Sequence, residues 1–327
     1  MFGKKIGIDI GTSTLQIYVQ GEGIVADEPS VAAVDWCDQR LLAVGRAALE
    51  LADRADVPCQ LVRPINRGAI VDGTLVARIL VHLVARTQGR RRLFRPEVML
   101  CVPLASTSEV RRTMIDAAID AGARQAWLIE APLAGALGLG LPVAQAKPHA
   151  ICDLGGGLTQ VAVISFSGVA ASHTVAAGGE QLDAALMELL RERMGQVIDQ
   201  STAEALKMAI GTAQVLDEPL TAEIAGKTVT SDELTGAVQA WLGTAIETVR
   251  RVLDQTPQRL ADGVAERGFF LTGGGALLRG VDRYLSAQTG IPFRVAEDPR
   301  TCAVRGTRRA LGEFEVIHRR HLDLASR

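Results

Sequence analysis

The segment Ile151-Cys152-Asp153-Leu154-Gly155-Gly156-Gly157-Leu158-Thr159-Gln160 constrains this chain more than any other. The apolar run His149–Cys152 delivers an aspartate to three glycines, and a second apolar run, Val161–Ile164, follows directly. That order predicts a β-hairpin with a tight tip. Glycines at the tip let bare backbone N–H groups converge on an anion, because no Cβ blocks the approach. An aspartate at the strand end suits a hydrated Mg²⁺ held beside that anion. Standing alone, the same segment reads equally well as an ordinary glycine-rich hairpin.

An earlier copy changes the balance. Ile8-Asp9-Ile10-Gly11-Thr12-Ser13-Thr14-Leu15-Gln16 aligns without a gap, so that Asp9 matches Asp153, Gly11 matches Gly155 and Gln16 matches Gln160. Two copies far apart in one chain predict two similar domains, each offering a phosphate-gripping hairpin to a shared cleft. A third glycine-rich turn, Thr272-Gly273-Gly274-Gly275, follows the apolar run Gly268–Leu271 and precedes a predicted helix carrying Leu277, Leu278, Val281 and Leu285. Such a strand-to-helix turn is a place where backbone meets a nucleotide's sugar or base.

At 327 residues there is room for two domains, and 48% hydrophobic residues supply cores for both, which excludes a disordered chain. A formal net charge of −2 gives no global attraction to nucleic acid, so no nucleic-acid partner is expected. The five cysteines (Cys37, Cys59, Cys101, Cys152, Cys302) are scattered and contain no Cys-x-x-Cys pair, against a disulfide framework or zinc site. They are expected as buried thiols in a reducing cytosol. The first hairpin begins so early that a signal peptide is not expected. Residues 126–143, broken by Glu130, Pro132 and Pro142, make a poor membrane span.

Residues 6–28 read as two strands, and a mixed segment to about Pro64 holds a helix near Arg46–Arg54, with Trp36 and Cys37 expected in packing. Asp72 is placed to cap a long helix through Arg86. A strand at Val98–Val102 precedes Ser106-Thr107-Ser108-Glu109, whose spacing predicts a capping box. A strand at Trp127–Glu130 and a helix from Pro132 to about Gly140 complete an α/β half. The second half repeats this: a strand at 169–176, Gly178-Gly179 opening a helix, a capping spacing at Ser201 and Glu204, turn-rich residues 214–230, and Ser231 heading an amphipathic helix to about Gln255.

These motifs together resemble the actin, Hsp70 and hexokinase superfamily, and within it the bacterial actin-like MreB family, over nearly the whole chain. Asp9-Ile10-Gly11-Thr12 is similar to the first phosphate motif, Asp153–Gly157 to the second and Leu271–Leu278 to the adenosine motif. Gly23–Val31, Gly138–Val143 and Ala296–Pro299 resemble MreB stretches. The resemblance implies an α/β actin-like ATPase fold, with two related lobes of ribonuclease H-like core around a nucleotide cleft. Lobe I would span 1–148, with a small subdomain at about 31–65 and a C-terminal helix at about 305–327. Lobe II would span 149–304, with a subdomain at about 182–231 that looks shorter than the family's. It further implies ATP (or GTP) with Mg²⁺, the metal held through water by Asp9 and Asp153. Nucleotide contacts would come from Gly11, Thr12, Ser13, Thr14, Gly155, Gly156, Gly157, Gly179, Gly273, Gly274, Gly275, Ala276 and the Glu204/Lys207 pair. The implied role is self-association into membrane-bound filaments that organise cell-wall growth, alongside a paralogue or wall-synthesis proteins.

Two departures bear on hydrolysis. The family positions that orient the attacking water are Ala131 and Leu158 here, and neither side chain accepts a hydrogen bond. Glu130 and Thr159 stand next to them as possible substitutes. Losing a water-positioning group typically costs about 10²–10⁴ in rate, so hydrolysis is expected to be very slow or absent. A small-molecule kinase would need a carboxylate facing an acceptor hydroxyl, and a chaperone would need a peptide-binding domain after the nucleotide domain. Neither is evident in the residues.

One basic cluster stands out, Arg90-Arg91-Arg92-Leu93-Phe94-Arg95. It reads either as a solvated loop or as a membrane-touching tip in which Leu93 and Phe94 insert while the arginines meet anionic headgroups. The second reading places the chain on the inner face of the cytoplasmic membrane and resembles the hydrophobic loop of some MreB proteins.

Overall fold

The computed structural model describes residues 3–54, 56–88, 95–195 and 197–312. The chain divides into two compact units, with boundaries between Ala144 and Gln145 and between Arg300 and Thr301.

The first unit begins with β1 (Lys5–Ile10), β2 (Thr14–Val19) and β3 (Gly23–Pro29), so the opening stretch holds three strands where two were expected. β4 (Ala32–Asp35), β5 (Leu41–Val44), α1 (Arg46–Ala52) and β6 (Cys59–Val62) form a small sheet with its helix. β7 (Ile65–Asn66) and β8 (Ala69–Ile70) make a short hairpin before α2 (Gly73–Gln88), β9 (Glu97–Val102), α3 (Ser108–Asp120), β10 (Gln125–Glu130) and α4 (Ala131–Gly138). The main sheet runs β10-β9-β1-β2-β3. β1, β9 and β10 are parallel, while β2 and β3 are added antiparallel. Every residue of β9 from Val98 to Val102 is buried, as a central strand covered on both faces requires. Asp72 Oδ1 accepts from Thr74 N and Leu75 N, and α2 then buries Leu75, Val76, Ile79, Leu80, Leu83 and Val84 along one stripe.

The second unit repeats that sheet. β11 (His149–Leu154), β12 (Thr159–Ser165) and β13 (Gly168–Val175) are antiparallel neighbours. α5 (Gly179–Met194), α6 (Gln200–Ile210), the hairpin β14 (Thr221–Ile224) and β15 (Lys227–Thr230), α7 (Ser231–Gln255) and α8 (Gln258–Arg267) follow. β16 (Phe269–Thr272), a 3₁₀ turn (Gly274–Leu277), α9 (Val281–Thr289) and β17 (Phe293–Val295) complete the unit. The order β13-β12-β11-β16-β17, with β11, β16 and β17 parallel, is the topology of the first sheet again. Phe269 and Phe293 stack across the last two strands with centroids 5.1 Å apart.

The chain then returns to the first unit as α10 (Cys302–Gly312), which starts earlier than the helix expected from about 305. α10 and α4 cross at backbone distance. A Cβ on Gly306 would collide with the Ala134 carbonyl, and one on Gly138 with the Cys302 carbonyl.

Several local expectations are corrected. Thr107, Asp199 and Thr230 cap their helices, rather than Ser106, Ser201 and Ser231. Each true cap is the extended residue next to the helix, where its side chain reaches the third amide on. The Ser231 hydroxyl instead accepts from Leu220 N at 3.1 Å. α8 begins just after Pro257, where no helix was expected, and the helix after the last glycine turn is broken, because Gly280 adopts φ +71° before α9. Trp36, 66% exposed, and Cys37 project from a turn instead of packing, so not all five thiols are buried.

Candidate functional site

The β11–β12 hairpin pairs Asp153 with Gln160, and the β1–β2 hairpin pairs Asp9 with Gln16. Both tips close identically. Gly155 N donates to Leu158 O at 2.9 Å and Gly11 N to Thr14 O at 2.8 Å. In each a Cβ on the first glycine would lie 3.1 Å from that same carbonyl.

In the second unit the start of α5 holds the tip from behind. Gly179 N donates to Gly155 O at 2.9 Å and Glu180 N to Gly156 O at 2.8 Å. Two of the amides that a helix N-terminus leaves unpaired are thus spent on the turn's carbonyls. Once those carbonyls are fixed, the Gly156 and Gly157 amides have no backbone acceptor among the described residues. Gly178, just before the helix, sits so close that a Cβ would collide with the Gly156 carbonyl. Gly179 therefore acts by orienting Gly155.

Asp153 is bracketed by neighbours. Thr272 Oγ1 donates to Oδ1 at 2.9 Å and Gln160 Nε2 to Oδ2 at 3.4 Å. Burial pushes its carboxyl above the usual range, and these two hydrogen bonds pull the other way. Gly273, at φ +80°, lies against the same carboxylate, with a Cβ there only 2.9 Å from Asp153 Oδ1. Gly275 leaves room for the Trp241 ring, 2.8 Å from where its Cβ would be, and Ala276 is buried with its amide donated to Gly273 O. Gly274 has open space around it. The third turn is thus packed on the second hairpin.

Lys207 and Glu204, three residues apart on α6, share a partly exposed face. Lys207 Nζ lies 2.7 Å from Asp183 Oδ1 and 3.4 Å from Gly179 O. Asp183 was not singled out from the sequence. It is a carboxylate on the α5 face that carries Leu182, Leu186 and Leu190 into the core, and its partner lies on another helix.

In the first unit Thr12 is buried, and its hydroxyl accepts from Gly68 N at 3.1 Å. Ser13 O accepts from Ser30 N at 2.9 Å. Those side-chain and carbonyl contacts anchor the tip from the protein side. Asp9 pairs with Cys101 across the parallel ladder, the place that Thr272 holds beside Asp153.

The substitutes for the missing water-positioning groups are already engaged. Glu130, ending β10, forms an ion pair with Arg111 at 3.0 Å. Thr159 is buried and donates its hydroxyl to Ala177 O at 2.6 Å. Ala131 opens α4 ahead of Pro132, and Leu158 sits half-buried at the tip itself.

The residues fit a nucleotide and its metal. Glycine positions that a Cβ would block and unpaired tip amides suit phosphate oxygens. No group of three metal-ligating side chains occurs among the described residues, and hydrated Mg²⁺ needs only one or two carboxylates beside phosphate. Arg90, Arg91, Arg92, Leu93 and Phe94 lie outside the described residues, whereas Arg95 is exposed. No described helix is long and apolar enough to cross a membrane.

A duplicated five-stranded sheet with a glycine-tipped hairpin in each copy is an actin-like fold. The solved structure of MreB5 of Spiroplasma citri bound to ADP matches with a TM-score of 0.88 and 27% identity, covering 96% of this chain and 97% of that one. The same protein bound to AMPPNP matches at 0.87. The structure described as a MamK double helical filament shares the fold at a TM-score of 0.80 and 18% identity. The MreB/Mbl protein family matches residues 3–319. The cell shape-determining protein MreB of Escherichia coli (strain K12) is 40% identical over 97% of this chain and 95% of its own length, and Mbl of Bacillus subtilis (strain 168) is 30% identical over 99% and 100%. The chain belongs to the MreB/Mbl family.

Proposed function

We propose that this chain binds ATP or a related purine nucleotide with Mg²⁺, assembles into filaments at the inner face of the cytoplasmic membrane, and helps set bacterial cell shape. The observation that carries the nucleotide reading is the second hairpin tip. Its carbonyls are held by α5 while the Gly156 and Gly157 amides have no backbone acceptor. Phosphate oxygens are the acceptors such a tip is built for. Support for the biological role comes from the relatives' names and from the nucleotides bound to the Spiroplasma protein.

Asp153 and Asp9 are the carboxylates proposed to hold Mg²⁺ through water. The metal, when bound, neutralises phosphate charge, and the chain's own residues orient the phosphates. Glu204 and Lys207 are proposed to meet the nucleoside. Hydrolysis is proposed to be very slow. Leu158 and Ala131 offer the attacking water no acceptor, and Glu130 and Thr159 are committed to Arg111 and Ala177.

For the membrane, Leu93 and Phe94 would each contribute roughly 1.5–3 kcal/mol on insertion and each arginine about 1 kcal/mol. Single loops hold weakly, and a filament presenting many of them binds by avidity. The test is co-sedimentation with anionic liposomes in Mg·ATP, beside equilibrium nucleotide binding. Leu93→Ala with Phe94→Ala is expected to abolish sedimentation with lipid and leave nucleotide affinity intact. Unchanged sedimentation refutes insertion, and no nucleotide binding by the parent chain refutes the whole reading.

A further inference from the structure

We infer that Asp183 is a positioning residue for the nucleotide, acting through Lys207. Asp183 is 1% exposed, on α5 four residues after Gly179. Its carboxylate meets Lys207 Nζ at 2.7 Å, where the two side chains are 2% and 13% exposed. The same ammonium lies 3.4 Å from Gly179 O. An ammonium has three N–H donors, and these two contacts direct two of them. The third has no protein partner among the described residues.

The placement of the pair points to a ligand. Gly179 O belongs to the same peptide as Glu180 N, which donates to Gly156 O, so the Lys207 tether and the tip's orientation meet at one peptide. A Cβ on Gly179 would lie 3.1 Å from Lys207 Nζ, so a glycine there is what lets the ammonium lie against the start of the helix. A cation beside a helix N-terminus is unfavourable by itself, since that end already carries partial positive charge. Asp183 offsets this and lets a lysine stand where its free donor faces an acceptor oxygen of the nucleotide. A buried ion pair kept for stability alone has no reason to sit on that peptide.

This inference rests on the nucleotide reading above and deepens it. The experiment is a double-mutant cycle on Mg·ATP affinity, with thermal unfolding recorded for each protein. Asp183→Asn is expected to weaken ATP binding about tenfold, the worth of one charge-assisted hydrogen bond. Lys207→Met should weaken it similarly, and the double variant no further, because Asp183 acts only through Lys207. A purely structural role moves the unfolding midpoint and leaves the affinity of the folded protein unchanged. If Asp183→Asn does not fold, the double variant, which strands no buried charge, still tests the cycle: affinity equal to the parent overturns the proposal. Parent binding with an unchanged Asp183→Asn affinity overturns this inference alone. Absence of binding by the parent overturns it together with the nucleotide reading.

Discussion

Thr272 donates its hydroxyl to Asp153 at 2.9 Å, tying the strand that leads into the third glycine turn to the aspartate of the second hairpin. The bond crosses a parallel β11–β16 register in which those two residues face each other. It helps keep a carboxylate charged in a place where burial works against charge.

That cost has a pH signature. With its pKa raised on folding, Asp153 retains a proton in the folded chain that the unfolded chain has already lost, so stability falls as pH rises from the ordinary carboxylate value through the raised one. Asp153→Asn should therefore stabilise the nucleotide-free protein at neutral pH, with the gain shrinking as the solution is acidified through that window. Urea unfolding at several pH values checks this. Mg²⁺-dependent tightening of ATP binding should be lost in the same variant. Thr272→Val should act oppositely on the apo protein, destabilising it by roughly 1.5–3 kcal/mol, the worth of a hydrogen bond to a charged group.

Gly178 is a steric requirement of the tip. Gly178→Ala is expected to push Gly156 aside and weaken ATP binding by more than about tenfold, a shift exceeding 1.4 kcal/mol. Gly236, inside α7 with nothing near its Cβ position, is the control. Gly236→Ala should leave binding unchanged and add up to about 1 kcal/mol of stability. Isothermal titration of both variants separates the two effects.

The turn between β12 and β13 carries local strain. Phe166 and Ser167 have φ of +51° and +60°, values that suit Asn and Gly, and Phe166 leaves half its surface in water. Phe166→Asn is expected to stabilise the chain by about 1 kcal/mol in denaturant titration. A loss of stability would mean that the aromatic ring contributes packing that outweighs the strain.

The hairpins were legible because their signal is local. An aspartate, glycines and alternating apolar runs set Asp9 opposite Gln16 and Asp153 opposite Gln160 in one register. The third strand of the first sheet was harder to read. β3 has only Ala26 buried, so its pattern looks like a loop until it pairs with β2. Cap positions slipped by one or two residues because Ser, Thr and Asp crowd the same few positions, and only the backbone decides which side chain faces the amides. Asp183 was hidden by distance, since its partner is on another helix. The packing of α10 on α4 was equally invisible, since a glycine read alone does not say whose carbonyl it must admit. What sequence did convey about hydrolysis was an absence at Ala131 and Leu158, and only the contacts of Glu130 and Thr159 say what those neighbours do instead.

The most direct measurement is phosphate release from purified protein given ATP, Mg²⁺ and anionic liposomes, with pelleting followed in parallel. The account predicts that protein pellets with the liposomes while phosphate stays at the spontaneous rate. Phosphate released in step with assembly, and still released after Glu130→Ala, would show that another group positions the water and contradict the assignment of Ala131 and Leu158.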